Sequence, residues 1–246
     1  MDSDPTRNDA AAGDQKESDP VVFEAPHLSR EQQQHVALML SVAQQITRDT
    51  GDNFVLKGGT ALLLAYGLPR HSTDLDFDGR RPNTNLTRSI ERGAFAAGAT
   101  VESLGLKKDT PTTKRYMLHY GGPSQPDPLK IETSFRQAGE IDEDDVTVVN
   151  GFRVYKIERL AALKIDAFLN REKGRDVFDV WFLLTRYRDV ITDEQAVGIR
   201  TKVDELGEDG LYALMENDSL LRAHDLESIV LELVERAHDL SREQGS

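Results

Sequence analysis

The chain contains no cysteine among its 246 residues. That excludes disulfides and thiolate metal sites, and it suits a cytoplasmic location. Long apolar runs are also missing. Nothing approaches the roughly 18 residues that span a bilayer, so no membrane association is expected. The first twenty residues, MDSDPTRNDAAAGDQKESDP, lack the basic start and apolar core of a secretory signal. They offer almost nothing to bury, and residues 1–25 read as a disordered acidic tail. Positive charge is scarce. Thirty Lys and Arg against 43 Asp and Glu leave a formal net charge of −13. Such a chain binds nucleic acid poorly unless its cations are clustered. They are: Arg70, Arg80, Arg81, Arg88, Arg92, Lys107, Lys108, Lys114 and Arg115 fall between residues 57 and 115. Much of the acid lies in the tail, in GEIDEDD (139–145) and near the C-terminus. A local basic face on an acidic protein is therefore expected.

What remains is a globular composition, with 38% hydrophobic and 30% charged residues. Ser29 and Gly51 bracket a helix whose buried face carries Val36, Leu40, Ala43 and Ile46. NFVLK (53–57) reads as a strand, GTALLLAYG (59–67) as a short helix stopped before Pro69, and LTRSIERGAFAAGA (86–99) as another helix. Strands follow in TVESLGLK, KRYMLHY, LKIETSF and FRVYK, with GGPSQPDP (121–128) as a connector. From Lys156 the pattern is helical to residue 241. The reading is α+β: a tail (1–25), an α/β core (26–155) with a mixed sheet flanked by helices, and an all-helical C-terminal region (156–241).

The stretch KGGTALLLAYGLPRHSTDLDFDG (57–79) carries the chemistry. DLDFDG opens like a calcium loop, but position twelve would be Asn85 where a bidentate Glu is needed. A P-loop fails for want of Gly-Lys-Ser/Thr. As a strand, 74–78 turns Asp74 and Asp76 to one side and Leu75 and Phe77 to the other. Asp78 shares the aspartate side but sits at the strand's end. Two like charges so placed call for a cation, and hard oxygen ligands suit Mg2+ or Mn2+. Gly58 and Gly59 stand between a strand and a helix, where free amides with Thr60 can bind an anion such as a triphosphate. Solvated aspartates on a strand edge are the plainer alternative.

This arrangement resembles the polymerase-beta-like nucleotidyltransferases, whose hallmark is a Gly-Gly or Gly-Ser followed by Asp-x-Asp. More closely it resembles the AbiEii-type nucleotidyltransferase toxins of type IV toxin–antitoxin systems. The matching residues are Leu56 to Leu62 (LKGGTAL), then Arg70, Ser72, Asp74, Leu75, Asp76 and Phe77. The resemblance covers roughly residues 30–190. It implies two Mg2+ (or Mn2+) ions, a nucleoside triphosphate (NTP) substrate and a tRNA 3′ end as acceptor. It also implies a separately encoded antitoxin, with Arg70 and Ser72 among the nucleotide-site residues. A third carboxylate is expected from a later strand, and Glu132, on the polar side of LKIETSF, is preferred to IDEDD (141–145). The family further implies a helical lysine, Lys164, and an Arg-Asp-x-x-Asp segment, Arg175, Asp176 and Asp179. Lys164 and Asp179 lie at comparable distances from the REKG turn (171–174) and can face each other, either at the phosphates or as a helix–helix salt bridge. His71 shows no partner in sequence and is read as a surface residue. Transfer to a small molecule or protein, and an inactive nucleotide- or partner-binding module, are the alternative functions.

Overall fold

A computed structural model describes residues 28–121, 128–138 and 141–240. The tail and most of the 121–128 connector lie outside these residues. Helix α1 (Arg30–Thr50) starts at a capping box in which Ser29 and Gln32 satisfy each other's backbone amides. The chain continues through β1 (Phe54–Lys57), α2 (Gly58–Tyr66), β2 (Asp74–Gly79) and α3 (Thr87–Ala96). Strands β3 (Val101–Thr110), β4 (Thr113–Tyr120), β5 (Leu129–Ser134), β6 (Val146–Val149) and β7 (Phe152–Tyr155) follow. Helices α4 (Ile157–Asn170), α5 (Gly174–Arg186), α6 (Asp193–Glu216) and α7 (Leu226–Asp239) complete it. Gly207 leaves helical geometry inside α6. Strand β6 was not foreseen.

The strands form one mixed sheet in the order β3-β4-β5-β2-β1-β7-β6, with β2–β5 and β1–β7 parallel. The fold is α+β, as the sequence indicated. Alternation gives the sheet two faces. Leu75, Phe77, Ile131, Tyr116 and Leu118 are buried, on the side where α1 and α3 pack. Asp74, Asp76, Lys130, Glu132 and Arg115 fall on the other side, only partly covered. The core is continuous from the sheet into the C-terminal helices, through Phe168, Phe178, Leu183, Ile199 and Leu233. Residue 156, where the sequence reading divides the chain, is the N-cap of α4.

The approach to β2 is braced from beneath. His35 of α1 lies 2.5 Å from the Tyr120 hydroxyl through Nδ1 and 3.0 Å from the Thr73 carbonyl through Nε2. Its ring meets His71 edge-on at 5.6 Å. His71 is buried at 8% exposure, which corrects the surface assignment. Its Nε2 has no hydrogen-bond partner among the described residues. Burial, then the charges of His35 and Arg70, push its pKa down to about 4. The unfolded chain binds this proton nearer pH 6.5, so stability is complete above 6.5 and falls as pH drops towards 4. Thermal unfolding from pH 7 to 4.5 should show His71→Gln losing stability less steeply than the native chain. The difference should reach about 2 kcal/mol at pH 4.5. Parallel curves would show that His71 is not held neutral.

Candidate active site

Strand register builds the site. Asp74, Asp76 and Asp78 lie opposite Lys130, Glu132 and Ser134 of the parallel strand β5. On the other side Lys57 of β1 lies opposite Asp76. Asp76 and Glu132 thus sit side by side on adjacent strands, roughly 4.8 Å apart at the backbone. Both line a cavity of about 350 Å3 with Lys57, Gly58, Arg136, Lys164 and Arg171. That size suits a small polar ligand. IDEDD lies elsewhere: Glu143 is exposed and engaged by Arg80 and Arg153.

The acids differ in how they are held. Asp74 is paired with Lys130. Glu132 receives Arg115 through Nε at 2.8 Å and Nη2 at 2.7 Å. Asp78 is buried, with Lys57 Nζ at 2.6 Å and the Tyr155 hydroxyl donating at 3.0 Å. Asp76 has no hydrogen-bond donor among the described residues. Burial raises its pKa; Lys130 and Lys57 oppose that rise, while Asp74 and Glu132 add to it. Among the described residues no three His, Cys, Asp or Glu side chains are gathered into a metal cluster. Asp74 and Glu132 are each turned to a cation. Asp76 and Glu132 nonetheless offer hard oxygens from adjacent strands, and Asp76 has no ion-pair partner among the described residues.

The glycine pair has two separate causes. Gly58 adopts φ +80, and a Cβ there would stand 3.3 Å from Asp76 Oδ2. At Gly59 a Cβ would fall 2.8 Å from Arg70 Nη2. No side chain caps α2, so its first amides at Gly58, Gly59 and Thr60 have no intrahelical acceptor. The Thr60 hydroxyl is spent locally, 2.5 Å from the Asp74 carbonyl and 2.8 Å from Ser72 Oγ.

Behind this turn, Asp179 is fully buried. Arg70 grips it with Nε at 2.7 Å and Nη2 at 2.8 Å, and Lys164 Nζ reaches it at 2.6 Å. Burial favours the neutral acid, but the two cations outweigh it and hold the pKa below the usual range. The α4–α5 salt bridge is real, and Lys164 also lines the cavity. Asp74, Gly59, Thr60, Arg70, Ser72, Asp176 and Asp179 lie outside the cavity lining. Asp176 is buried and bound by Arg171. The expected basic face is largely neutralised: Arg80, Arg81, Arg92 and Lys114 meet Glu143, Asp52, Asp49 and Asp109. Sequence reasoning missed Lys57, Lys130 and Arg115 as site cations. Alternation in LKIETS, which places Lys130 beside Glu132, was the available signal for one of them.

Among curated proteins nothing matches. Among solved structures the chain is similar to JHP933 from Helicobacter pylori, at 31% identity and TM-score 0.76, over 89% of this chain and 95% of that one. It is likewise similar to an H. pylori protein described as a candidate nucleotidyltransferase, at 32% identity and TM-score 0.75, over 89% and 98%. A family model described as nucleotidyl transferase AbiEii toxin, type IV toxin–antitoxin system, matches residues 44–241. The match runs through the last helices, beyond the 30–190 span of the motif resemblance. The chain therefore belongs to the AbiEii nucleotidyltransferase toxin family of type IV toxin–antitoxin systems.

Proposed function

We propose that the protein transfers a nucleoside monophosphate from an NTP to the 3′-terminal hydroxyl of an RNA, with tRNA as the acceptor. It would do so in the cytoplasm as a toxin restrained by a cognate antitoxin. The observation that carries this reading is the in-register pair Asp76–Glu132 facing one cavity with Gly58 and Lys164. In the reaction the hydroxyl oxygen bonds to the α-phosphorus and the α–β anhydride bond breaks. Pyrophosphate leaves, and the hydroxyl proton passes to the carboxylate pair. Mg2+ or Mn2+, held by Asp74, Asp76 and Glu132, would supply charge neutralisation of the triphosphate and activation of the hydroxyl.

The chain's own contribution is positioning. The free amides of Gly58, Gly59 and Thr60 favour the triphosphate's negative charge at the start of α2. Arg70 and Lys164 share the single carboxylate Asp179, which leaves one excess positive charge behind that turn. In a partly buried setting this excess attracts phosphate more than an exposed cation would.

The acceptor's place is suggested by a rung of the sheet. Glu132 pairs with Arg115, and Arg115 with Lys108 on the edge strand β3. A β-bulge between Leu106 and Lys108 sets two residues against one, bringing Lys107 beside Lys108. Arg115, Lys107 and Lys108 thus lead from the carboxylates to the sheet edge, a path suited to a phosphodiester backbone.

Incubation with each labelled NTP and total RNA, with and without Mg2+, should label a tRNA band only with metal. Label on protein or small molecules but on no RNA would overturn the acceptor. Asp76→Asn should lower transfer by at least about a hundredfold, with an unfolding temperature no lower than the native chain's. Retained activity would remove Asp76 from the chemistry. Lys107→Glu with Lys108→Glu should raise the KM for RNA about tenfold or more and lower the slope of affinity against salt by about two. The KM for NTP should stay constant. An unmoved KM for RNA would send the acceptor elsewhere.

A further inference from the structure

The third aspartate of DLDFD and the lysine before the glycines have no part in the reaction as proposed. They are bound to each other. Lys57 is the last residue of β1 and the N-cap of α2, so its backbone leads directly into the free amides of Gly58 and Gly59. The two strands flanking β1 hold it: β2 supplies Asp78 and β7 supplies Tyr155. Asp78 is 2% exposed and uses one oxygen for Lys57 and the other for the Tyr155 hydroxyl. Both its oxygens are taken, so Asp78 is not free to serve as a metal ligand. Tyr155 is buried too, and burial, then the Asp78 charge, push its phenol pKa up, so it stays a donor. Its own carbonyl accepts from Tyr66 at the far end of α2.

The Lys57 side chain keeps 28% of its surface exposed and lines the cavity with Gly58 and Asp76. Its ammonium has three donors, and Asp78 is its one ion-pair partner among the described residues. We propose that Lys57 is a ligand for the NTP's phosphates, and that Asp78 and Tyr155 are positioning residues that fix its ammonium at the cavity wall. This rests on the reading that the cavity takes an NTP. A lysine left loose on four methylenes would lose rotamer entropy on meeting a phosphate, and the buried clamp removes most of that cost.

Inorganic tripolyphosphate with Mg2+ carries the charge common to all NTPs and serves as the probe in calorimetry. Lys57→Met should weaken its binding roughly ten- to a hundredfold, and Lys57→Arg should recover part of the loss. Tyr155→Phe leaves every charge in place but removes a donor from the buried Asp78, so it is compared well below its own unfolding temperature; a severalfold loss of affinity by the folded variant would mark positioning, and native affinity would overturn it. In turnover, Lys57→Met should raise the KM for NTP while leaving the KM for RNA unchanged. Native-like tripolyphosphate binding by Lys57→Met would overturn the role of Lys57 while leaving the NTP reading intact. Absence of binding by the native chain would overturn both.

Discussion

The site depends on one buried carboxylate. Asp179 reaches from α5 to Arg70, on the loop before β2, and to Lys164 on α4. Removing an ion this deep from water is costly, and the cost is met only because three donors converge on it. Losing the acid would leave two cations uncompensated in the interior, typically worth 3–5 kcal/mol for a broken buried pair. The same contact sets distances at the surface. Arg70, pinned by Asp179, lies against Gly59, and Lys164, pinned likewise, lies at the cavity wall. The helical region is thus tied to the turn that starts α2 by electrostatics as well as by packing.

This changes what the glycines are for. From sequence, Gly58 and Gly59 looked like room for a phosphate. In the structure Gly58 is demanded by a left-handed backbone angle and by the nearness of Asp76, and Gly59 by the guanidinium of Arg70. Both causes are internal and would hold with no ligand present. The open amides have a different cause: the N-cap of α2 is Lys57, whose ammonium has no acceptor to offer them and is turned to Asp78.

Local pattern was legible, and partnership was not. The alternation in DLDFD and LKIETS gave both strands and the polar faces of Asp76 and Glu132. Nothing in the chain states that β2 and β5 run parallel in a register that makes those two neighbours. The connection between them passes through α3 and two further strands. His71 failed for the same reason, because its cover comes from His35 on α1. The cation cluster misled because Asp49, Asp52 and Glu143 come from other segments. Strand β6 was hidden by its brevity, four residues directly after an acidic run. The last helices, α6 and α7, carry no short motif, so their place in the family emerges only when the whole chain is compared.

A chain with thirteen excess negative charges must still bring in anions. The structure resolves this locally, by giving nearly every acid around the cavity a cation of its own. Asp74 has Lys130, Glu132 has Arg115, Asp78 has Lys57, Asp176 has Arg171, and Asp179 has two. Pairing lowers the far field of each carboxylate, so an approaching triphosphate meets dipoles more than bare charge. Asp76 is left unpaired, and burial makes that charge expensive to keep. The excess cation at Asp179 and the anion at Asp76 stand against consecutive residues at the start of α2, Arg70 beside Gly59 and Asp76 beside Gly58. That arrangement, a negative side for a cation and a positive side for phosphate, is what an ion-paired nucleotide would complete.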